Sequence, residues 1–252
     1  MSDFASESGH FYLPDGTPYY TVKRADGKGD RAATLRDARK VGAYIGTTTV
    51  IKCAAAPQLE RWKRGKVLLA GLTLPHIEGE SEEDWLSRVE ADWQKEGKDA
   101  AEGGTILHGV IEQYYRGDQY DRKWSEWVSA VSDEVRSKCG EQEWSAERSF
   151  AHPKGYGGKT DLHCASWVND YKSKEGELTD KNCTIYDEHL MQGAAYRRGL
   201  NVPKARVGIL FVSRDLPQAK LVEIPEESLV KGLAMFDALL AYYQAKNSYY
   251  PK

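Results

Sequence analysis

The chain has 252 residues, 40% of them hydrophobic and 29% charged, which suffices for a full core in one large domain or one domain with an elaborated half. A net charge of -3 excludes a protein that coats nucleic acid through bulk positive charge, though not an enzyme with a local basic groove. The longest apolar stretch, residues 67 to 74, is interrupted by Gly71 and Thr73 and falls far short of the roughly 20 residues of a membrane span, so no membrane partner is expected. Met1-Ser2-Asp3-Phe4 lacks the order of a secretory signal, and the expected location is cytoplasmic. Cys53, Cys139, Cys164 and Cys183 include no C-x-x-C pair, so free thiols are expected rather than a zinc ribbon or an iron-sulfur site.

Tyr12-Leu13-Pro14-Asp15-Gly16-Thr17-Pro18 predicts a short hairpin, followed by a polar loop at residues 25 to 30 and a helix from about residue 33. Thr47-Thr48-Thr49 predicts a cap for a helix carrying Val50 and Ile51, and Pro57 a new helix holding Leu59 and Trp62. A helix over residues 81 to 98 is expected with Ser81 as its cap, and a separate one after Gly103-Gly104 with Thr105 as N-cap and His108 in its first turn. Residues 122 to 138 repeat the helical pattern, and residues 144 to 173 alternate as a three-stranded meander with a Gly-rich turn at 155 to 158. A helix over 184 to 200, an apolar strand from Arg206 to Val212, a neighbouring strand from Lys220 to Ile224 and a helix from about Pro225 to Ala245 complete the chain.

Chemistry concentrates in the meander. Asp161 is followed nine residues later by Asp170 and two beyond that by Lys172. If Asp161 ends one strand and Asp170 starts the next, the carboxylates meet at one sheet edge and share a hard divalent cation, with Lys172 on the same face as Asp170. His108 is a natural third ligand beside two acids, and an imidazole admits manganese as well as magnesium. Gln192 and Tyr196 share a helix face with His189, where they orient the lysine, contact phosphate or hydrogen-bond a loop. Glu147 and Glu112 read either as further acids of the site or as surface groups. A zinc site from His152, His163, Cys164, Cys183 and His189 lacks compact spacing.

Gly104-Thr105 with His108, Gly157-Gly158 with Asp161, Asp170-Tyr171-Lys172, and Gln192 with Tyr196 together resemble the RecB-like branch of the PD-(D/E)XK nuclease superfamily over about residues 100 to 200. Upstream, Thr47 to Ile51 and Leu59 to Trp62 are similar to the helical lead-in of phage exonucleases related to the mitochondrial genome maintenance exonuclease. The resemblance implies an α/β fold with a restriction-endonuclease-like core, a central mixed β-sheet flanked by helices, and a mainly helical, DNA-guiding N-terminal part. It implies metal binding by His108, Asp161, Asp170 and the backbone carbonyl of Tyr171, a catalytic Lys172, and a DNA path lined by Gln192 and Tyr196. Thr160 stands where the superfamily name has proline, and the iron-sulfur cysteines of some relatives are missing.

The expected division is residues 1 to 100 as the helical part and 101 to 252 as the nuclease core. The expected activity is a DNA exonuclease dependent on Mg2+ or Mn2+, of phage or prophage recombination or replication type, in a bacterial host cell. Its partners would be single- or double-stranded DNA with a free end and a recombination protein; the site residues would be Asp161, Asp170, Lys172, Gln192 and Tyr196. The rivals are a structure-specific or restriction-like endonuclease with the same chemistry and a nucleic-acid-binding protein that does not cut.

Overall fold

The computed structural model describes residues 10 to 251, apart from the side chains of Glu96 and Ala100; Met1 to Phe4 lie outside this range. Two compact units emerge, one of residues 1 to 53 with 110 to 252 and one of residues 54 to 109. This division is not at residue 100. Residues 11 to 46 contribute strands to the main sheet and therefore belong with the C-terminal part.

In the larger unit the first elements are β1 (Phe11–Tyr12), β2 (Pro18–Tyr19), β3 (Thr21–Lys23), β4 (Asp30–Ala32), α1 (Leu35–Val41), β5 (Tyr44–Gly46) and α2 (Thr47–Ile51). β1 and β2 form the expected hairpin, and the polar loop at 25 to 30 is the turn of a second hairpin, β3 to β4. Thr34 begins α1 through a capping box with Asp37, and Arg31 from β4 grips the same carboxylate at 2.7 and 3.0 Å. The threonines at 47 to 49 lie inside α2, whose N-cap is Gly46. Instead of capping, the Thr47 hydroxyl donates to the Gly157 carbonyl at 2.8 Å, which ties this short helix to the sheet.

The smaller unit holds α3 (Pro57–Thr73) and most of α4 (Glu82–Arg116). The break expected at Gly103-Gly104 is absent: α4 runs through both glycines, and the Thr105 hydroxyl donates back to the Ala101 carbonyl at 3.0 Å. A mid-helix threonine satisfies its hydroxyl in this way, and each helical glycine costs only about 1 kcal/mol relative to alanine. His108 is consequently in the later part of a long helix and not in a first turn. Ser81 does cap α4, accepting from the Asp84 amide at 3.1 Å.

The remaining elements are α5 (Ser125–Cys139), β6 (Ser145–His152), β7 (Tyr156–His163), β8 (Trp167–Lys174), α6 (Asp187–Gly199), β9 (Arg206–Ser213), β10 (Ala219–Ile224) and α7 (Glu226–Asn247). The sheet order is β10-β9-β8-β7-β5-β1-β2, with β6 on the other edge of β7. β8 and β9 run parallel, as do β5 and β7; the other pairings in this sheet are antiparallel. β9 lies between β8 and β10 and is buried from Val207 to Ser213, which accounts for its continuous apolar sequence. α6 packs on one face of the sheet with α7 against it, and α5 meets the opposite face through Cys139 and Asn169. The expected α/β architecture, a central mixed sheet flanked by helices, is present.

Candidate active site

β6 pairs with β7 along nearly its whole length, so β5 and β8 must share the other edge of β7. β5 takes Tyr156 and Gly157; β8 takes only Leu162 and His163, opposite Asn169 and Val168. Between these ladders the edge opens. Asp161 would face Asp170 in the next antiparallel pair, but instead its Oδ2 accepts the Tyr171 amide at 2.6 Å. The acids therefore lie within β7 and β8, not at their ends, and meet because the strands part there.

Gly157 and Gly158 are in β7 itself rather than in the turn, which Gly155 forms with φ 88°. A Cβ on Gly157 would come within 2.7 Å of the Tyr12 ring, and one on Gly158 within 2.7 Å of Phe150 and 2.8 Å of Tyr196. Close packing, not turn geometry, calls for glycine at both positions.

On the α6 side Gln192 joins the remaining groups. Its Nε2 donates to Asp170 Oδ1 at 2.7 Å and to the Tyr196 hydroxyl at 3.0 Å, while its Oε1 accepts from Lys172 Nζ at 3.1 Å. Only this amide orientation satisfies a cation and a carboxylate together. Lys172 Nζ also lies 2.5 Å from Asp170 Oδ2. Burial alone would lower the lysine's pKa, but the Asp170 charge and hydrogen bond, with Asp161 beyond, hold it above its ordinary value. Lys172 is therefore a fixed cation. Burial, reinforced by Asp170 and Asp161, pushes the Tyr196 phenol well above its usual range and keeps it neutral.

His189, also buried on α6, accepts the Tyr186 amide through Nδ1 at 3.1 Å and so organises the start of the helix. Burial, with Lys172 and Lys174 adding to it, lowers its pKa from 6.5 to about 3. The unfolded chain takes up this proton near 6.5 and the folded chain only near 3, so its contribution to stability is full above 6.5 and is lost as pH falls toward 3. Thermal melts across that window should show a steeper fall for the wild type than for His189→Leu; parallel curves would contradict this.

The structure thus brings together Asp161, Asp170, Tyr171, Lys172, Gln192 and Tyr196. His108 belongs to the smaller unit, and Glu112 to the larger, where it pairs with Arg116 at 2.7 Å. Among the described residues no three His, Cys, Asp or Glu side chains gather as a ready metal centre, and Cys139, Cys164 and Cys183 are free thiols. Glu147 is not the exposed group that its strand position suggests: it is mostly buried and ion-paired with Lys159. The Lys159 partner escaped the sequence reading, although its place two residues before Asp161 was a usable signal.

A three-stranded meander, a crossing helix that carries Gln192, and a parallel strand beyond it present two acids and a lysine at an opened ladder. The fold is α/β, with a mixed sheet flanked by helices. No protein-family model matches the chain, and no curated protein matches it. Among solved structures, a protein from Eubacterium rectale described as a candidate exonuclease aligns with a TM-score of 0.42 and 13% identity, over 58% of this chain and 68% of that one. An alkaline exonuclease from Laribacter hongkongensis aligns with a TM-score of 0.31 and 15% identity, over 57% of this chain and 84% of that one. At these scores neither likeness bears on function. Among the described residues no helix is long and apolar enough to cross a membrane.

Proposed function

We propose that the protein is a deoxyribonuclease dependent on Mg2+ or Mn2+ that hydrolyses phosphodiesters from DNA ends, of phage or prophage recombination or replication type. One observation carries the reading: Asp161, Asp170, Lys172 and Gln192 converge where β7 and β8 part. The donor set fits a hard divalent cation, since it offers carboxylate oxygens from two adjacent strands with the Tyr171 main chain between them. Asp161, Asp170 and the Tyr171 carbonyl would hold the ion; the bound ion would supply an activated water and charge neutralisation at the phosphate.

The protein's own groups do the rest. Lys172, held by Asp170 and Gln192, presents a positive charge to the phosphate oxygens as negative charge develops on them. Gln192 keeps that ammonium aimed, and Tyr196 anchors the Gln192 amide. In the helical unit, α3 exposes Trp62 with Lys66 over its ring at 5.8 Å, a surface suited to stacking a base beside a phosphate. The DNA-guiding role proposed for the N-terminal part accordingly passes to residues 54 to 109.

The test is incubation with Mg2+ or Mn2+ and linear DNA labelled separately at each end, beside closed circular DNA and a chelator control. Metal-dependent mononucleotide release from one labelled end, with circles left intact, is the expected outcome. Nicked circles would move the assignment to an endonuclease, and DNA binding without cleavage to a binding protein.

A further inference from the structure

The β6–β7 ladder contains a second irregularity. Ala146 pairs with Leu162 and Arg148 with Thr160, but the pair between them, Glu147 with Asp161, is missing. Glu147 has φ 55° in the middle of a strand, a left-handed conformation that costs a non-glycine residue roughly 1–2 kcal/mol. Its side chain is only 10% exposed and its carboxylate is ion-paired with Lys159.

Lys159 precedes Asp161 by two residues, so the two side chains leave β7 on the same face roughly 6.6 Å apart along the strand. That is about the step from one phosphate to the next in an extended nucleotide strand. The Lys159 side chain is partly open to solvent, at 37% exposure, and an ammonium has three donors, so the bond to Glu147 leaves others for a phosphate oxygen. Lys172 is already committed to Asp170 and Gln192, which leaves Lys159 as a second cation on the same strand as Asp161. Tyr20 lies within the electrostatic reach of Lys159 and Glu147, stacks on His10 at 4.5 Å, and hydrogen-bonds Tyr12 at 2.7 Å. The β1–β2 end of the sheet therefore walls this position with rings.

We propose that Lys159 binds the phosphate adjacent to the scissile one and that Glu147 is its positioning residue. This rests on the nuclease reading above. The test compares kcat/KM for a short oligodeoxynucleotide with that for thymidine 5′-(p-nitrophenyl phosphate), which carries a single phosphodiester and no neighbouring phosphate. Lys159→Ala should lower the ratio of the two about tenfold, the value of one charge-assisted hydrogen bond, mainly through KM on the oligonucleotide. The salt dependence of that KM should weaken by about one phosphate contact. Lys159→Arg should restore most of the loss, and Glu147→Gln should raise KM by less than Lys159→Ala with kcat retained. An unchanged ratio together with an unchanged salt slope would overturn the proposal, as would equal losses on both substrates in a variant that melts like the wild type. A wild-type protein that cleaves neither substrate would remove the nuclease reading first, and this proposal with it.

Discussion

Lys172→Ala is expected to lower the cleavage rate by at least about 10²–10³-fold, the usual consequence of removing one electrostatic donor from a reacting centre. DNA binding should change little, because the rest of the nucleic-acid surface is untouched. Two losses act together. The substitution removes the charge presented to the phosphate, and it takes from Asp170 Oδ2 and Gln192 Oε1 the ammonium that lies 2.5 and 3.1 Å from them. Lys174→Ala is the matched control: this residue follows two positions later on the same strand face, but its ammonium lies 5.4 Å from the centre of the Phe211 ring and outside the Asp170 network. Single-turnover cleavage and filter binding, run on both variants, give the answer. Full activity in Lys172→Ala with metal present would remove the proposed mechanism.

A large effect on stability is expected at Gly232. α6 and α7 approach so closely that a Cβ there would lie 2.5 Å from the Leu190 carbonyl carbon and oxygen, which are backbone atoms that a rotamer change cannot move. Overpacking of this kind costs about 1–3 kcal/mol, and the better helix propensity of alanine returns about 1 kcal/mol. Gly232→Ala should therefore be destabilised by up to about 2 kcal/mol, and Gly232→Val by more, because the branched side chain adds volume where none is free. Gly71→Ala in α3, where a Cβ meets nothing within 4 Å, should change in the opposite direction. Urea unfolding of the three variants decides the matter, and a Gly232→Ala protein as stable as the wild type would refute the packing argument. Because α6 carries Gln192 and Tyr196, a strained α6–α7 contact should also reduce activity.

Much of the site was legible because its spacings are local. Asp170 and Lys172 are two apart on a strand, and Gln192 and Tyr196 four apart on a helix, so each pair shares a face whatever the remaining chain does. The meander, α6, β9, β10 and α7 were legible for the same reason, from periodicity and turn residues. The Gly103-Gly104 break was misread because a helix long enough to carry its own hydrogen bonds absorbs two glycines. Thr47 to Thr49 were misread as a cap because the demand on Thr47 comes from the Gly157 carbonyl, 110 residues away.

The sequence by itself determined which carboxylates, lysine and amide are available and which of them share a face, since these follow from the repeat of the backbone. Only the tertiary structure decided that β5 and β8 divide one edge of β7, which opens the ladder at Asp161, and that Glu147 turns from its strand toward Lys159. It also decided that the strands between residues 11 and 46 complete the sheet instead of joining the helical unit. These are choices of partner between segments far apart in the chain, and they depend on how the whole sheet closes and packs, a quantity that no local spacing contains.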